Sequence, residues 1–366
     1  MLSENEFRRP EGTRELLQAI RAMHLPETRL MEVCGTHTMA NARSGLRQLL
    51  PPSIRLVSGP GCPVCVTPAG VIDEVLRISA LPGVILTTYG DLMRVPGSVP
   101  GDNLSLRKAK GADVRWVYSP MDSLEIAREN PEKEVVFLGV GFETTAPGTA
   151  LTVMEAQRLG LKNFSMLCLL KRTEPAMRAL IERPDFRVQG FLCPGHVAVI
   201  TGADAFRFLP EQYGLPAVVS GFEAGDLLLS IYRLLSQLRN GRPGLENEYF
   251  RAVTPEGNKA AQALMEQVLR PVADQWRGLG CIADSGYALR PEFSAWDGAE
   301  KFDFAPDERE TLSGCRCGQI ICGQLTPAEC PLFGKGCTPE NPVGPCMVSS
   351  EGACAASWHY RRIEES

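Results

Sequence analysis

Chemistry in this sequence concentrates in its cysteines, 13 in 366 residues. Cys62 and Cys65 form a C-x-x-C within SGPGCPVC. A pair so spaced can close a reversible disulfide, and a helix N-terminus beside it lowers the pKa of one thiol. Half of a zinc site and a purely structural pair are the alternatives, and no second C-x-x-C completes a zinc site. Cys34 is followed by Gly35, Thr36, His37 and Thr38. A thiol with hydroxyls and an imidazole nearby can be a nucleophile or a soft-metal ligand, or it can fill a core. His196 follows a Pro-Gly turn and either faces a cleft or is a structural histidine. Cys168, in the apolar run FSMLCLL, reads as core filling, because free cysteine packs like a small hydrophobe.

Seven cysteines crowd into CRCGQIICGQLTPAECPLFGKGCTPENPVGPCMVSSEGAC, from Cys315 to Cys354. Zinc ribbons carry two tight C-x-x-C knuckles, and this stretch has none. Thiolates on irregular loops suit a [4Fe–4S] cluster, whose cysteine spacing is variable. Spacing alone does not select four ligands from seven.

Composition narrows the class. Hydrophobic residues make up 44% and charged residues 22%, as in ordinary globular chains. The net charge of −5, from 38 basic and 43 acidic residues, advertises no nucleic-acid partner. No apolar run reaches the roughly 18 residues of a membrane span. The N-terminus, MLSENEFRRPEGTREL, is charged and lacks a signal peptide's apolar stretch. A cytoplasmic protein is expected, where cysteines serve metals or redox chemistry more often than structural bridges.

The elements that must carry these residues alternate. Short apolar runs predict strands at Arg29–Val33, Ile54–Ser58, Val84–Thr88, Val114–Tyr118, Val135–Val140, Ser165–Leu170, Gly190–Leu192 and Ala217–Ser220. Helical patterns follow several of them: VIDEVLRISA, SLEIAREN, TALTVMEAQRLG, PAMRALIER and DLLLSIYRLLSQLR. Apolar strands alternating with helices predict an α/β fold with parallel sheets covered on both faces. The strands divide near Tyr118–Asn130 into two fours. This predicts two similar α/β domains around a cleft, 1–120 and 121–243, and a helical and cysteine-rich domain over 244–366. The last opens with a helix, AAQALMEQVLRPVADQW. Its tail has little periodic apolar sequence and needs a metal centre or the other domains to hold it.

Five loops at strand ends carry motifs: EVCGTHT, SGPGCPVC, GVGFETTAPG, CPGHVAVITG and SGFEAGDLL. In open α/β sheets ligands bind beyond the carboxyl ends of the strands, so these loops are expected to line the cleft. GVGFETTAPG is not a dinucleotide fingerprint, since Thr144 holds the third glycine position, and no phosphate loop of the G-x-x-x-x-G-K-[ST] type occurs. Glu143, Thr144 and Thr145 are expected to cap the following helix, with Glu143 and Thr144 compatible with a polar cleft lining.

Together CGTHT, GPGCPVC, GFETTAP, PGHVAVITG and CPLFGKGCTPENPVGPCMVSSEGAC resemble the HypD family of [NiFe]-hydrogenase maturation proteins. The resemblance runs from about Arg29 to Tyr360, and Met39 stands where histidine is common. The family pattern C-x14-C-x6-C-x16-C falls on Cys315, Cys330, Cys337 and Cys354. The resemblance makes these the [4Fe–4S] ligands, leaves Cys317 and Cys346 as a redox pair beside the cluster, and gives Cys322 no role. It implies a scaffold with redox function rather than a classical turnover enzyme. Such a scaffold builds the Fe(CN)2CO unit in a complex with the HypC chaperone, receives cyanide from a HypE thiocyanate, and is a monomer outside that complex. Low-spin ferrous iron is a soft centre, so Cys34 would bind it as thiolate, with His37 and the hydroxyls of Thr36 and Thr38 orienting the ligands. Cys62 and Cys65 would supply the two electrons that free cyanide, and the Cys317/Cys346 pair and the cluster would restore the dithiol. An iron–sulfur thiol-disulfide oxidoreductase acting on proteins is the competing reading; it leaves Cys34 and GFETTAP idle.

Overall fold

The computed structural model describes residues 10–307 and 314–360. The charged stretch 1–9 lies outside the described residues. All eight expected strands form, most with ends shifted by one or two residues: β1 Thr28–Glu32, β2 Ile54–Ser58, β3 Val84–Thr88, β4 Asp113–Trp116, β5 Glu134–Gly141, β6 Phe164–Leu170, β7 Gly190–Pro194 and β8 Ala217–Ser220. A ninth, β9, spans Leu245–Asn247. They build two wholly parallel sheets, β2-β1-β7-β8-β9 and β4-β3-β5-β6. Side chains such as Leu30, Phe137, Phe164 and Phe191 are fully buried. Burial on both faces is what unbroken apolar strands require.

The sheets do not divide at residue 120. The chain lays down β1 and β2, builds the whole second sheet over residues 84–170, and returns to add β7, β8 and β9 to the first. Met31 thus lies between Val57 and Phe191 across the sheet. Apolar alternation identifies a strand but not its neighbour, which is fixed by the crossovers. The expected boundary after Arg242 also falls inside the first sheet, because β9 pairs with β8.

The expected helix over 260–276 is half helix. Lys259–Val268 is helical, and Leu269–Trp276 is β10, antiparallel to β11 at Gly280–Leu289. Pro271 lacks an N–H and clashes with the preceding turn, so the helix ends before it. The cysteine-rich region is loops and short helices, Cys317–Ile321, Pro345–Val348 and Ala353–His359. It shares a core with the α/β part: Ile320, Ile321 and Met347 belong to the same apolar cluster as Met31, Val57 and Val66. Among the described residues no helix is long and apolar enough to cross a membrane.

Candidate functional site

Cys34 leaves β1 in extended conformation and opens the helix Gly35–Ser44. Glu32, fully buried, anchors that helix: its carboxylate accepts from Thr38 Oγ1 at 2.7 Å and Asn41 Nδ2 at 2.8 Å, and pairs with Arg47 at 3.1 Å. The hydroxyl of Thr38 is therefore turned into the core, away from any ligand of Cys34. His37 is also fully buried. Its Nε2 lies 3.1 Å from the Ser220 carbonyl, and its Nδ1 meets no hydrogen-bond partner among the described residues. Burial holds its pKa down at about 4, against a partial rise caused by Glu32. His37 is a neutral ring beneath Cys34, outside the cavity wall.

The SGPGCPVC loop crosses directly over Cys34. A Cβ on Gly61 would stand 2.5 Å from the Val33 carbonyl carbon and 2.6 Å from Cys34 Cα, and Gly35 N–H donates to the Gly61 carbonyl at 3.1 Å. Glycine is required here by close approach. Cys62 caps the short helix Pro63–Val66, its Sγ accepting from Cys65 N–H at 3.2 Å, and the two cysteines are joined as a disulfide. Both are buried.

A cavity of about 300 Å³ opens where these loops meet. Cys34, Thr36, Pro63, Thr144 and His196 line it, from four of the five motif loops. Cys62 and Cys65 lie behind its wall, with Cys62 Sγ 3.5 Å from the Ser349 hydroxyl, which does line it. His196 is stacked on Phe222 at 3.8 Å, and Phe222 also contacts the His37 ring at 4.7 Å. The SGFEAGDLL loop thus supports both imidazoles rather than lining the cavity.

Glu143 does not cap the helix after it. Its carboxylate accepts from the backbone N–H of Thr173 at 2.8 Å and its hydroxyl at 2.7 Å, closing the start of helix Thr173–Ile181. Burial raises its pKa. It faces a neighbouring cavity, while Thr144 faces the one at Cys34. Thr145 makes no side-chain cap either.

Sequence reasoning assigned no role to Glu351, which comes from the cysteine-rich region. Its Oε1 accepts from Thr36 Oγ1 at 2.7 Å across 315 residues, and it lines the cavity beside Asp91. Burial raises the Glu351 pKa, and Asp91 adds to the rise. Burial also pushes the Cys34 thiol up to about 11, with Glu351 adding to it. Its presence in CMVSSEGAC was the only signal, and nothing local distinguishes it from a surface glutamate.

Six of the seven tail cysteines, Cys315, Cys317, Cys330, Cys337, Cys346 and Cys354, face one apolar cavity with Leu332, Phe333 and Met347. Cys322 stands apart, its thiol 3.5 Å from the Gly278 carbonyl. A Cβ on Gly344 would meet Cys315 Sγ at 2.5 Å, so the backbone there makes way for a thiol. Among the described residues no three His, Cys, Asp or Glu side chains meet at a common metal-binding point. The donor set, soft thiols in an apolar pocket, is compatible with iron–sulfur binding. Cys168 sits half-buried on β6, and burial pushes its thiol up to about 12. Cys193 is fully buried, whereas Cys281 is exposed.

The family model HypD, described as the hydrogenase formation hypA family, matches residues 11–361. The chain belongs to the HypD family. It is 46% identical to the hydrogenase maturation factor HypD of Rhodobacter capsulatus, over 97% of each chain. It is 46% identical to the hydrogenase expression/formation protein HupD of Azotobacter chroococcum mcd 1, over 99% of this chain and 97% of the other. Identity to the Escherichia coli K12 maturation factor HypD is 44%, over 98% of both. The two parallel sheets and cysteine-rich region described above are therefore those of a HypD hydrogenase maturation factor.

Proposed function

We propose that this HypD-family chain, with the HypC chaperone, binds iron at Cys34 and assembles on it the Fe(CN)2CO unit of [NiFe] hydrogenase. The carrying observation is that Cys34 and the C-x-x-C loop meet at one cavity, with Gly61 packed on the Cys34 backbone and Ser349 and Glu351 closing the wall. The iron is cargo. Cys34 holds it as thiolate, and a cysteine of HypC supplies another. Thr36, fixed by Glu351, and His196, fixed by Phe222, face the same space and orient the diatomic ligands. His37 acts from beneath, as support for the Cys34 turn.

Cyanide arrives on a HypE thiocyanate. In the dithiol form, Cys62 and Cys65 can reduce it: two thiols and one thiocyanate give a disulfide, a thiol and hydrogen cyanide, with electrons and protons balanced. The buried Cys62–Cys65 bridge supports this reading, since that reaction ends in a disulfide there. Cys315, Cys330, Cys337 and Cys354 would hold a [4Fe–4S] cluster, with Cys317 and Cys346 beside it. Such a cluster supplies one-electron transfer when bound. A thiol-disulfide oxidoreductase of protein substrates would use the same bridge, but it gives no purpose to the Cys34–Thr36–Glu351 wall.

Anaerobic coexpression with HypC and HypE tests the reading. Wild-type chain should co-elute with HypC and support active hydrogenase. Cys62→Ala/Cys65→Ala should still co-elute but fail to mature it. Maturation at the wild-type rate by the double variant would sink the cyanide-release role.

A further inference from the structure

The turn between β10 and β11 touches both the C-x-x-C helix and the cysteine-rich region. Arg277 in that turn is buried, only 2% exposed. Its backbone N–H donates to the Val66 carbonyl at 2.8 Å, its Nε to Cys65 at 3.1 Å and its Nη2 to Thr67 at 2.6 Å. These are three successive carbonyls at the C-terminal end of Pro63–Val66, groups that a helix cannot pair internally. One residue from a distant hairpin satisfies them all. Gly278 beside it has φ +75°, and a Cβ there would stand 2.6 Å from Gly318 Cα, next to Cys317. The C-x-x-C helix packs on both helices that carry Cys317 and Cys346.

The hydrogen-bond acceptors of this guanidinium are the backbone carbonyls of Cys65 and Thr67, and its charge also acts on the thiols of Cys315, Cys317 and Cys346. A guanidinium does not lose its charge in a protein. A full positive charge is thus fixed at the Cys65 peptide. Reduction to the dithiol takes two electrons and two protons; ionisation of one of its thiols then adds a negative charge that the neutral bridge lacks. A positive charge favours that ionised state.

We propose that Arg277 is a positioning residue for the Cys62/Cys65 couple, fastening the C-x-x-C helix against the cysteine-rich region and shifting the couple toward its dithiol form. The inference rests on the reading that this pair cycles between disulfide and dithiol. The reductant is a thiol, and each bridge reduced converts two reductant thiols to one disulfide.

The test equilibrates the full-length chain anaerobically with reduced and oxidised glutathione at pH 7. Alkylation and peptide mass spectrometry then read the Cys62–Cys65 peptide. Arg277→Gln should lower the dithiol-to-disulfide ratio about tenfold, ~30 mV for a two-electron couple. Arg277→Lys keeps the charge but loses the fork of hydrogen bonds, and should stay within about threefold of wild type, a bound set by the charge term alone. An Arg277→Gln chain that folds and titrates like wild type overturns the inference. A tenfold shift in Arg277→Lys also overturns the charge effect, and that arm decides if Arg277→Gln does not fold. A wild-type bridge that never reduces over the glutathione range counts instead against the proposed function.

Discussion

Gly61 is where the two catalytic-looking loops touch, and alanine there should separate them. The added Cβ would fall on Cys34 N, 2.5 Å from the Val33 carbonyl carbon and 2.6 Å from Cys34 Cα. All three are backbone atoms, so no rotamer relieves the clash. Ordinary contact begins at 3.4 Å, so the loops must part by about 1 Å. Parting them breaks the Gly35 N–H to Gly61 carbonyl bond, about 1 kcal/mol. Overpacking adds about 1–3 kcal/mol. Gly61→Ala should therefore destabilise the chain by about 2–4 kcal/mol. A displacement of that size at a reacting group costs on the order of 10²-fold in rate, so hydrogenase maturation should fall further than stability does. Gly148→Ala is the control. That glycine is exposed in the helix Ala146–Leu159 with open space around its Cβ position, and alanine there should stabilise by about 0.5–1 kcal/mol. Anaerobic urea unfolding and maturation of hydrogenase in the host measure both. A Gly61→Ala chain with wild-type stability and wild-type maturation would refute the packing of the two loops.

Two further outcomes follow from the burial of His37 and from the tail. With its pKa held at about 4, against about 6.5 when unfolded, His37 makes the unfolded chain bind more protons between those values, so stability rises with pH across that window. Relative to His37→Gln, wild type should lose about 3 kcal/mol as pH falls from about 6.5 to 4; parallel pH curves for the two chains would contradict the buried neutral ring. Single alanine substitutions at Cys315, Cys330, Cys337 or Cys354 should abolish the visible absorption of an anaerobically prepared chain and loosen the tail, whereas Cys322→Ala, outside the apolar cavity, should keep it. Loss on Cys322→Ala with retention on Cys315→Ala would overturn the ligand assignment.

Local pattern made the strands legible. Eight runs of β-branched and apolar residues became β1 to β8, because burial on both faces demands that composition. The partner of each strand was not legible, since β1 gains β7 as a neighbour from 160 residues away. Nor was the break at Pro271 anticipated, although proline carries the physical signal for it. At the site, Cys34, Thr36, Thr144 and His196 were recognisable as cavity residues because each sits just beyond a strand end. Glu351 was not, for its role exists only through a contact with Thr36. Glu143 and Thr38 show the reverse. Glu143 suited a helix cap or a polar cleft lining and Thr38 a ligand shell, but each is held by a buried hydrogen bond that the sequence does not reveal.

Infrared spectroscopy of the chain purified with its proposed partner HypC tests most directly whether Cys34 holds the proposed iron cargo. Bound CN and CO absorb where protein is silent. Cys34→Ser exchanges a soft thiolate for a hard, protonated hydroxyl with little change in volume. Cys34 lies outside the apolar cavity of the tail cysteines, so the two centres should fail independently. The variant should keep the visible absorption expected of the proposed iron–sulfur centre and lose both sets of infrared bands. Persistence of the CN and CO bands in Cys34→Ser would place the iron elsewhere and contradict the account.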